Sequence, residues 1–402
     1  MAKSYCFVSW LIDGSGAPVK TDVLLCVEGG LISSIAFANP GELFRSGFEG
    51  VDGCALESYP ACTLVPGLID CHVHLSMSGK TDPGLRVRQL AYDFEQNRPL
   101  IGQRLEKILA LGIMAVRDGG DAGGHALRYS RENPNPFVRV KCAGKGWRAP
   151  GRYGKIIGRA PENGATLAES IKAASPPADH VKILNSGINS LNEYGRETPP
   201  QFDREELGAA FLQARNLGMK IMVHANGRRP VEFAIDAGCD SIEHGFFMGE
   251  ENLEKMADRQ VVWVPTAYTM KALSCDTSLG AERSGVAGKI FENQLEQMSR
   301  ARELGVQVAC GTDAGSFGVR HGAALFEELK LLNEAGFSIE KIIRCATHAG
   351  ARLLGLDREL GRLCPGMPAN FLVVAGPPAN LPGSLAEPMA VYRAGEKIIS
   401  RK

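Results

Sequence analysis

The stretch GLIDCHVHLSM, Gly67 to Met77, sets His72 and His74 two residues apart at the end of an apolar run. Alternate side chains of a β-strand share a face, so the two imidazoles project together. Other apolar runs end in related chemistry: KIMVHANG holds His224, SIEHG holds His244, and VQVACGTDAG holds Asp313. Imidazole and carboxylate together suit zinc, with iron, manganese or nickel also compatible. Taken singly, each residue has a plainer reading. The two histidines of HVH could be polar side chains at a strand mouth, His224 and His244 hydrogen-bonded core histidines, and Asp313 a helix cap. Taken together, those readings need several unrelated coincidences, whereas one metal site accounts for the whole set.

Lys182, inside HVKILNSG, adds to the set. An unpaired ammonium within an apolar run meets a heavy desolvation cost, so this lysine is expected to be paired or modified. One solution is reaction of the neutral amine with carbon dioxide, giving a carbamate that bridges two metal ions as a carboxylate does. The other is a side chain that snorkels to the strand mouth.

These side chains meet only if the elements carrying them end on one rim. The middle of the chain alternates buried-looking runs, from GLIDCHVHL through IMAVRDGG, VRVKCAG, HVKILNSG, KIMVHANG, SIEHG and VVWVPTA to VQVACGTDAG, with amphipathic stretches. In DREELGAAFLQARNLG, Asp203 is placed to cap a helix and Gly218 to stop it. RRPVEFAIDAG and ENLEKMADRQ read as further helices. Eight such β/α units fit a (β/α)8 TIM-like barrel, whose chemistry sits at the C-terminal strand ends. An open doubly wound sheet is the rival arrangement.

Both chain ends read differently. YCFVSWLI, DVLLCVEGG and LISSIAF near the start, and NFLVVAG and AVYRAGEKII near the end, are strand-like and punctuated by turns. The fold class expected is therefore α/β, a barrel over residues 63–360 with a small β-sandwich domain built from 1–62 and 361–402.

The 402 residues carry 45 basic and 45 acidic side chains, so no net field draws the protein to nucleic acid or membrane. No run approaches the roughly 18 apolar residues of a spanning helix. The start, MAKSYCFVSWLIDGSG, lacks a small-residue cleavage site and reads as a strand rather than a signal peptide. Eleven cysteines without a CxxC pair, several inside apolar runs such as Cys26, Cys142 and Cys310, read as buried thiols in a reducing compartment. The cytoplasm is the expected location, a small molecule the expected partner, and a homo-oligomer is left open.

The motifs VPGLIDCHVHL, VKIL, VHANG, SIEHG and GTDAG, with the tail LGRLCPGMPANFLVV, resemble the amidohydrolase superfamily of metal-dependent hydrolases over nearly the whole chain. The branch most similar contains prolidase-like dipeptidases and imidazolonepropionase-related enzymes. The resemblance implies that His72, His74 and Asp313 hold one divalent ion, zinc being the first expectation. His224 and His244 would hold a second, with carboxylated Lys182 bridging. Two positions depart from the pattern. Asn226 stands where deaminases of the superfamily carry a glutamate, which weakens a deaminase reading. Asn370 replaces a tail aspartate whose role looks structural.

The chemistry implied is hydrolysis of a C–N bond in a dipeptide, an N-acyl amino acid or a cyclic amide. Asp313 would pass the proton of the attacking water to the leaving nitrogen, and His244 would orient the attack. An ester or lactone hydrolase is the next alternative, then a deaminase, then a barrel that binds a ligand without turnover. Substrate contacts are expected from GKGWRAPGRYGKIIGR, which holds Trp147, Arg148, Arg152 and Tyr153 and could act as a flap whose arginine binds a carboxylate. Asn226, Arg228 and His321 are further candidates. His125, His180 and His348 are read as structural, and Met219 and Met222 as core.

Overall fold

The computed structural model describes residues 3–37, 55–133 and 137–401. Its first strands are β1 (Lys3–Leu11), β2 (Lys20–Glu28), β3 (Leu31–Phe37) and β4 (Ala55–Pro66). The β1–β2 and β2–β3 pairs are antiparallel, whereas β4 runs parallel to β1.

The middle strands are β5 (Leu68–Val73), β6 (Ile113–Asp118), β7 (Arg139–Cys142), β8 (Gly146–Trp147) and β9 (Gly158–Arg159). They continue as β10 (His180–Leu184), β11 (Lys220–Ala225), β12 (Ser241–His244) and β13 (Val262–Val264). Hydrogen bonding orders them as β5-β6-β7 and as β13-β12-β11-β10-β8-β9. The pairs from β10 to β13 are parallel, as are β6–β7 and β8–β9. Every residue of β5, β6, β10 and β12 is buried, the pattern of parallel strands covered on both faces. The apolar runs in the sequence follow from that.

VQVACGTDAG does not form the regular strand expected. It makes isolated bridges, Trp263 to Val308 and Val73 to Ala314. Ala309 N donates to Trp263 O at 3.0 Å on one flank, and Cys71 N donates to Cys310 O at 2.9 Å on the other. Two features break the extended path. A side chain at Gly311 would meet Val264 Cγ1 at 2.5 Å, and Asp313 is left-handed with φ 60.

The helices are α1 (Pro83–Leu90), α2 (Phe94–Ala110), α3 (His125–Glu132), α4 (Leu167–Lys172), α5 (Arg204–Asn216) and α6 (Arg228–Ala237). After them come α7 (Glu250–Arg259), α8 (Tyr268–Ser274), α9 (Ala281–Leu304), α10 (Ala323–Glu334), α11 (Ile339–Arg344) and α12 (Gly350–Leu354). Asp203 caps α5, its carboxylate accepting from Glu206 N at 2.8 Å, as its position before an amphipathic run predicts. None of the described helices is long and apolar enough to cross a membrane.

The chain closes with β14 (Phe371–Ala375), β15 (Ala390–Arg393) and β16 (Glu396–Ser400). AVYRAGEKII is thus two strands, split where Ala394 and Gly395 take φ 44 and 78. Both chain ends join one seven-stranded sheet, β16-β15-β14-β4-β1-β2-β3. Phe371 stacks on Tyr392 at 4.4 Å between ring centres in its core.

The chain divides into two compact units. One comprises Met1–Ile69, Ile108–Met114 and Phe337–Lys402; the other comprises Asp70–Lys107 and Ala115–Gly336. The described cysteines are outside disulfides and buried except for Cys275 and Cys364, while Cys54 lies outside the described residues. Met222 is fully buried, but Met219 is only half-buried, because it precedes β11 rather than lying within it.

Candidate metal centre

His72 and His74 flank the end of β5, with ring centres 5.4 Å apart. Each is fixed through its Nδ1. That of His72 lies 2.9 Å from Glu243 Oε2, and that of His74 lies 2.8 Å from Gly120 O. A carbonyl can only accept, so His74 Nδ1 carries a proton and Nε2 is the nitrogen turned toward Asp313, whose carboxylate raises the His74 pKa against the effect of burial. Asp313 Oδ1 faces both rings, 3.5 Å from His72 Nε2 and 3.2 Å from His74 Nε2. One ligand atom from each of the three residues lies within 4.8 Å of the others. Burial alone would raise the Asp313 pKa, but the His74 and His72 rings outweigh it and hold the carboxyl well below its usual range.

His224, on β11, and His244, ending β12, bring their rings to 4.7 Å, and His244 lies 5.0 Å from His72. His244 Nδ1 shares a hydrogen bond with Thr266 Oγ1 at 2.7 Å. His224 is turned the other way: its Nε2 donates to Gly187 O at 3.0 Å, which leaves Nδ1 as the nitrogen able to accept a cation. Lys182 projects from β10 with Nζ buried and, among the described residues, without a hydrogen-bond partner. Burial pulls its pKa down to about 8, against the opposing fields of Glu243 and Asp313. Register explains the gathering, since β10 pairs Leu184 with His224 and β11 pairs Ala225 with His244.

All six expected ligands line one cavity of about 250 Å³. The donor set fits a divalent cation. Among the described residues, His72 Nε2 is buried with no hydrogen-bond partner, a costly state for a polar atom unless an ion completes it. Three of the residues around it, His244, Thr266 and Asp313, are left-handed, with φ 67, 47 and 60. Strained backbone of this kind persists where surrounding structure holds a site in place.

The supporting groups went unread in the sequence. Glu243 is fully buried and ion-paired to Arg117 Nη2 at 2.7 Å. Asp70 accepts Thr312 Oγ1 at 2.7 Å and Asp118 accepts Leu75 N at 2.7 Å, so both brace the segments that carry ligands. Gly119 leaves room for the rings: a Cβ there would lie 2.8 Å from His74 Cε1. A buried acid or arginine within a strand demands a partner, and that was the available signal.

The expected substrate residues divide. Tyr153 lines the cavity, its ring 5.5 Å from that of His224, and so does Asn226, whose Oδ1 accepts from Phe246 N at 3.2 Å. Arg148, Arg152 and His321 do not line it. Arg148 donates to Ala149 O at 3.1 Å and Arg152 to Pro199 O at 2.8 Å, so backbone carbonyls hold both guanidinium groups. His321 Nε2 donates to His74 O at 3.1 Å, and burial takes its pKa down to about 3. The glycine-rich segment is tied down, with β8 and β9 pairing Gly146 to Gly158 and Arg159 stacked on Trp147. Arg228 opens α6, its backbone N donating to Glu197 at 2.9 Å. Among the described residues, the guanidinium that does reach the cavity is that of Arg86, on α1. His180 opens β10, away from the strand end, and burial drives it to the neutral form.

The sequence model of the amidohydrolase family matches residues 63–398. Ochratoxinase from Aspergillus niger is 24% identical over 428 residues, covering 96% of this chain and 84% of its own. Imidazolonepropionase from Paracoccus denitrificans is 29% identical over 348 residues, covering 77% and 78%. The crystal structure of a Xaa-Pro dipeptidase with methionine in its active site superimposes with a TM-score of 0.81 at 25% identity, covering 98% of this chain and 99% of that one.

Proposed function

The chain belongs to the amidohydrolase family, and from that membership we propose that it is a metal-dependent hydrolase cleaving a C–N amide bond in a small molecule. The observation carrying this reading is that His72, His74, Lys182, His224, His244 and Asp313, drawn from distant parts of the sequence, line one cavity. In this reading His72, His74 and Asp313 would hold one divalent ion and His224 and His244 a second, with carboxylated Lys182 as a further oxygen donor. Zinc suits the donors. When bound, such ions make a water nucleophilic near neutral pH.

The chain's own groups do the rest. Lys182, with its pKa down at about 8, offers a neutral amine to carbon dioxide. A bond forms from Nζ to the carbon, and one proton leaves. Asp313 takes the proton of the attacking water and hands it to the leaving nitrogen, so the amine departs neutral. His244 orients the attack, and Tyr153 and Asn226 present polar groups to the substrate from the cavity wall.

The names of the relatives favour amides: an ochratoxinase, an imidazolonepropionase and a Xaa-Pro dipeptidase. Ester or lactone hydrolysis is the second reading, because the same nucleophile attacks either carbonyl. Asn226 in place of a glutamate argues against deamination. The architecture that goes with this reading is a (β/α)8 barrel over residues 63–360, completed by the segment whose backbone bonds reach both Trp263 and Cys71. The small β-sandwich domain would comprise 1–62 and 361–402. Ten cysteines outside disulfides among the described residues favour a reducing compartment such as the cytoplasm.

The test is metal loading followed by product analysis on N-acyl amino acids, dipeptides, lactams and lactones. Two equivalents of metal per chain and release of free amine are expected. Loaded protein that opens lactones while leaving every amide intact would move the assignment to the second reading.

A further inference from the structure

The basic, glycine-rich segment GKGWRAPGRYGKIIGR meets the metal cavity through its middle, at Tyr153, Ile156 and Ile157. Its two ends do something else. Lys145 and Trp147 at one end and Arg159 at the other line a second cavity of about 680 Å³. That volume lies within the roughly 300–1,000 Å³ of small-molecule sites. The two cavities share no lining residue, and the second falls wholly within the compact unit that contains Ala115–Gly336. Strand β10 walls both, with Val181 in the second cavity and Lys182 in the metal cavity.

The floor of the second cavity is apolar, and its Leu127, Ile171 and Val181 are buried. Its charged groups are nearly all of one sign. Against one carboxylate among the described lining residues, Glu132, stand Arg128, Arg131, Lys145, Arg159 and Lys172. Arg128 takes Glu132 at 2.7 Å, and Arg131 pairs with Asp179 at 3.1 Å. Lys145, Arg159 and Lys172 are left with no carboxylate within ion-pair distance among the described residues. Arg159 is the one built in. Register sets it beside Trp147 across β8 and β9, and its guanidinium carbon stands 4.4 Å from the Trp147 ring centre. Its Nε is buried and, among the described residues, without a hydrogen-bond partner. A guanidinium held against an indole has given up its freedom before a ligand arrives, so its donor fork takes an anion at lower entropic cost.

We propose that this cavity binds a small amphipathic organic anion, its apolar body on the floor of Leu127, Ile171 and Val181 and its charged group on Arg159. Lys145 and Lys172, both exposed, add their field from the rim. An inorganic anion alone would leave the apolar floor wet, and a neutral apolar molecule would leave the cations without a counter-charge. A molecule with both parts answers both needs. The assignment does not depend on the reaction at the metal centre.

The test uses two fluorescent probes, anilinonaphthalene sulfonate and phenylnaphthylamine, the second being the same ring system without the sulfonate. In metal-loaded protein the sulfonate is expected to bind one to one and about 10- to 100-fold more tightly than the neutral probe, the range of a hydrogen bond to a charged group. Arg159→Met should cut sulfonate affinity by about tenfold or more and leave the neutral probe unchanged. Lys145→Met should weaken the sulfonate to a lesser degree, and Arg88→Met, exposed on α1, should change neither probe. Stripping the metal should leave sulfonate affinity as it was, since the metal cavity is separate. Equal affinity for the two probes, or sulfonate binding that comes and goes with the metal, overturns the assignment. So does undiminished sulfonate binding in Arg159→Met with an unchanged melting curve. If loss of the stack on Trp147 unfolds that variant, Lys145→Met decides in its place, because its side chain is exposed and its removal leaves the core intact.

Discussion

Glu243 reaches from β12 to His72 on β5, placing Oε2 2.9 Å from Nδ1, and both side chains are fully buried. The carboxylate accepts the Nδ1 proton, which leaves the Nε2 lone pair facing Asp313. Arg117, 2.7 Å from the other oxygen, neutralises the charge this requires. Glu243→Gln keeps the shape but supplies a weaker acceptor. Its metal affinity should fall about 10- to 100-fold, the usual cost of losing the partner of a ligating histidine. Chelator competition measures this, and wild-type affinity would remove Glu243 as the group that sets the ring.

Gly119 packs against both histidines of β5, where a Cβ would stand 2.8 Å from His74 Cε1 and 3.2 Å from His72 Nε2. Gly119→Ala should therefore fold with unchanged circular dichroism yet bind metal at least about tenfold more weakly. A variant that loads normally would mean the rings have room to shift.

Asp313→Asn tests proton transfer. Asparagine tolerates the left-handed backbone at φ 60 and still offers an oxygen to Ser316 Oγ, now 2.7 Å from Oδ2. The fold and much of the metal should persist, while kcat drops about 10²- to 10⁴-fold. Rates within a few-fold of wild type would exclude Asp313 as the proton carrier.

Lys182 is testable by its carbon. Protein loaded with metal in ¹³C-bicarbonate should show one carbamate resonance, absent in Lys182→Ala. Because the neutral amine is the reactive form, labelling of the apo protein should quicken as pH rises through about 8. Lys182→Ala should lose bimetallic binding, and short carboxylic acids should restore part of it. Two tightly held metals in that variant without added acid would contradict the bridge.

His321 bears on acid stability. Its pKa is about 3 in the fold against an ordinary 6.5, because burial disfavours the charged ring. A depressed value means stability that is complete above 6.5 and drains away as pH falls toward 3. His321→Gln should be less stable near neutrality by about 1 kcal/mol, the worth of one hydrogen bond. Its melting temperature should also decline less steeply below pH 6.5. Parallel curves for the two proteins would assign the acid response to other groups.

Much of the site was legible before any coordinates. His72, His74, His224, His244 and Asp313 stand at the ends of apolar runs, and Lys182 is a charge inside one, so type and position both signal chemistry. Asp203 and its helix were equally plain, since a cap and a 3.6-residue period are local properties. What escaped depends on contacts across the fold. Arg86 lies on a short helix with no buried face, and no pattern in PGLRVRQL points one side chain into a cavity. Arg148 and Arg152 looked better placed, in a glycine-rich stretch after a strand, but nearby carbonyls take up their donors. The segment around Val308 read as a strand because its alternation is right; the tight approach at Gly311 and the turn of Asp313 are invisible in one dimension.

The reversed ring of His224 bears on how the site would choose its ion. Nδ1 sits two bonds from Cβ, whereas Nε2 sits three, so a donor presented through Nδ1 has a shorter lever and less swing. His74, presenting the far nitrogen, can follow an ion of a different radius by tilting. His224 has less of that freedom, and its reach is set largely by where β11 lies. A cation held at that end, as the proposed function requires, would be gauged against the main chain itself, and ions of unsuitable size should be turned away there first.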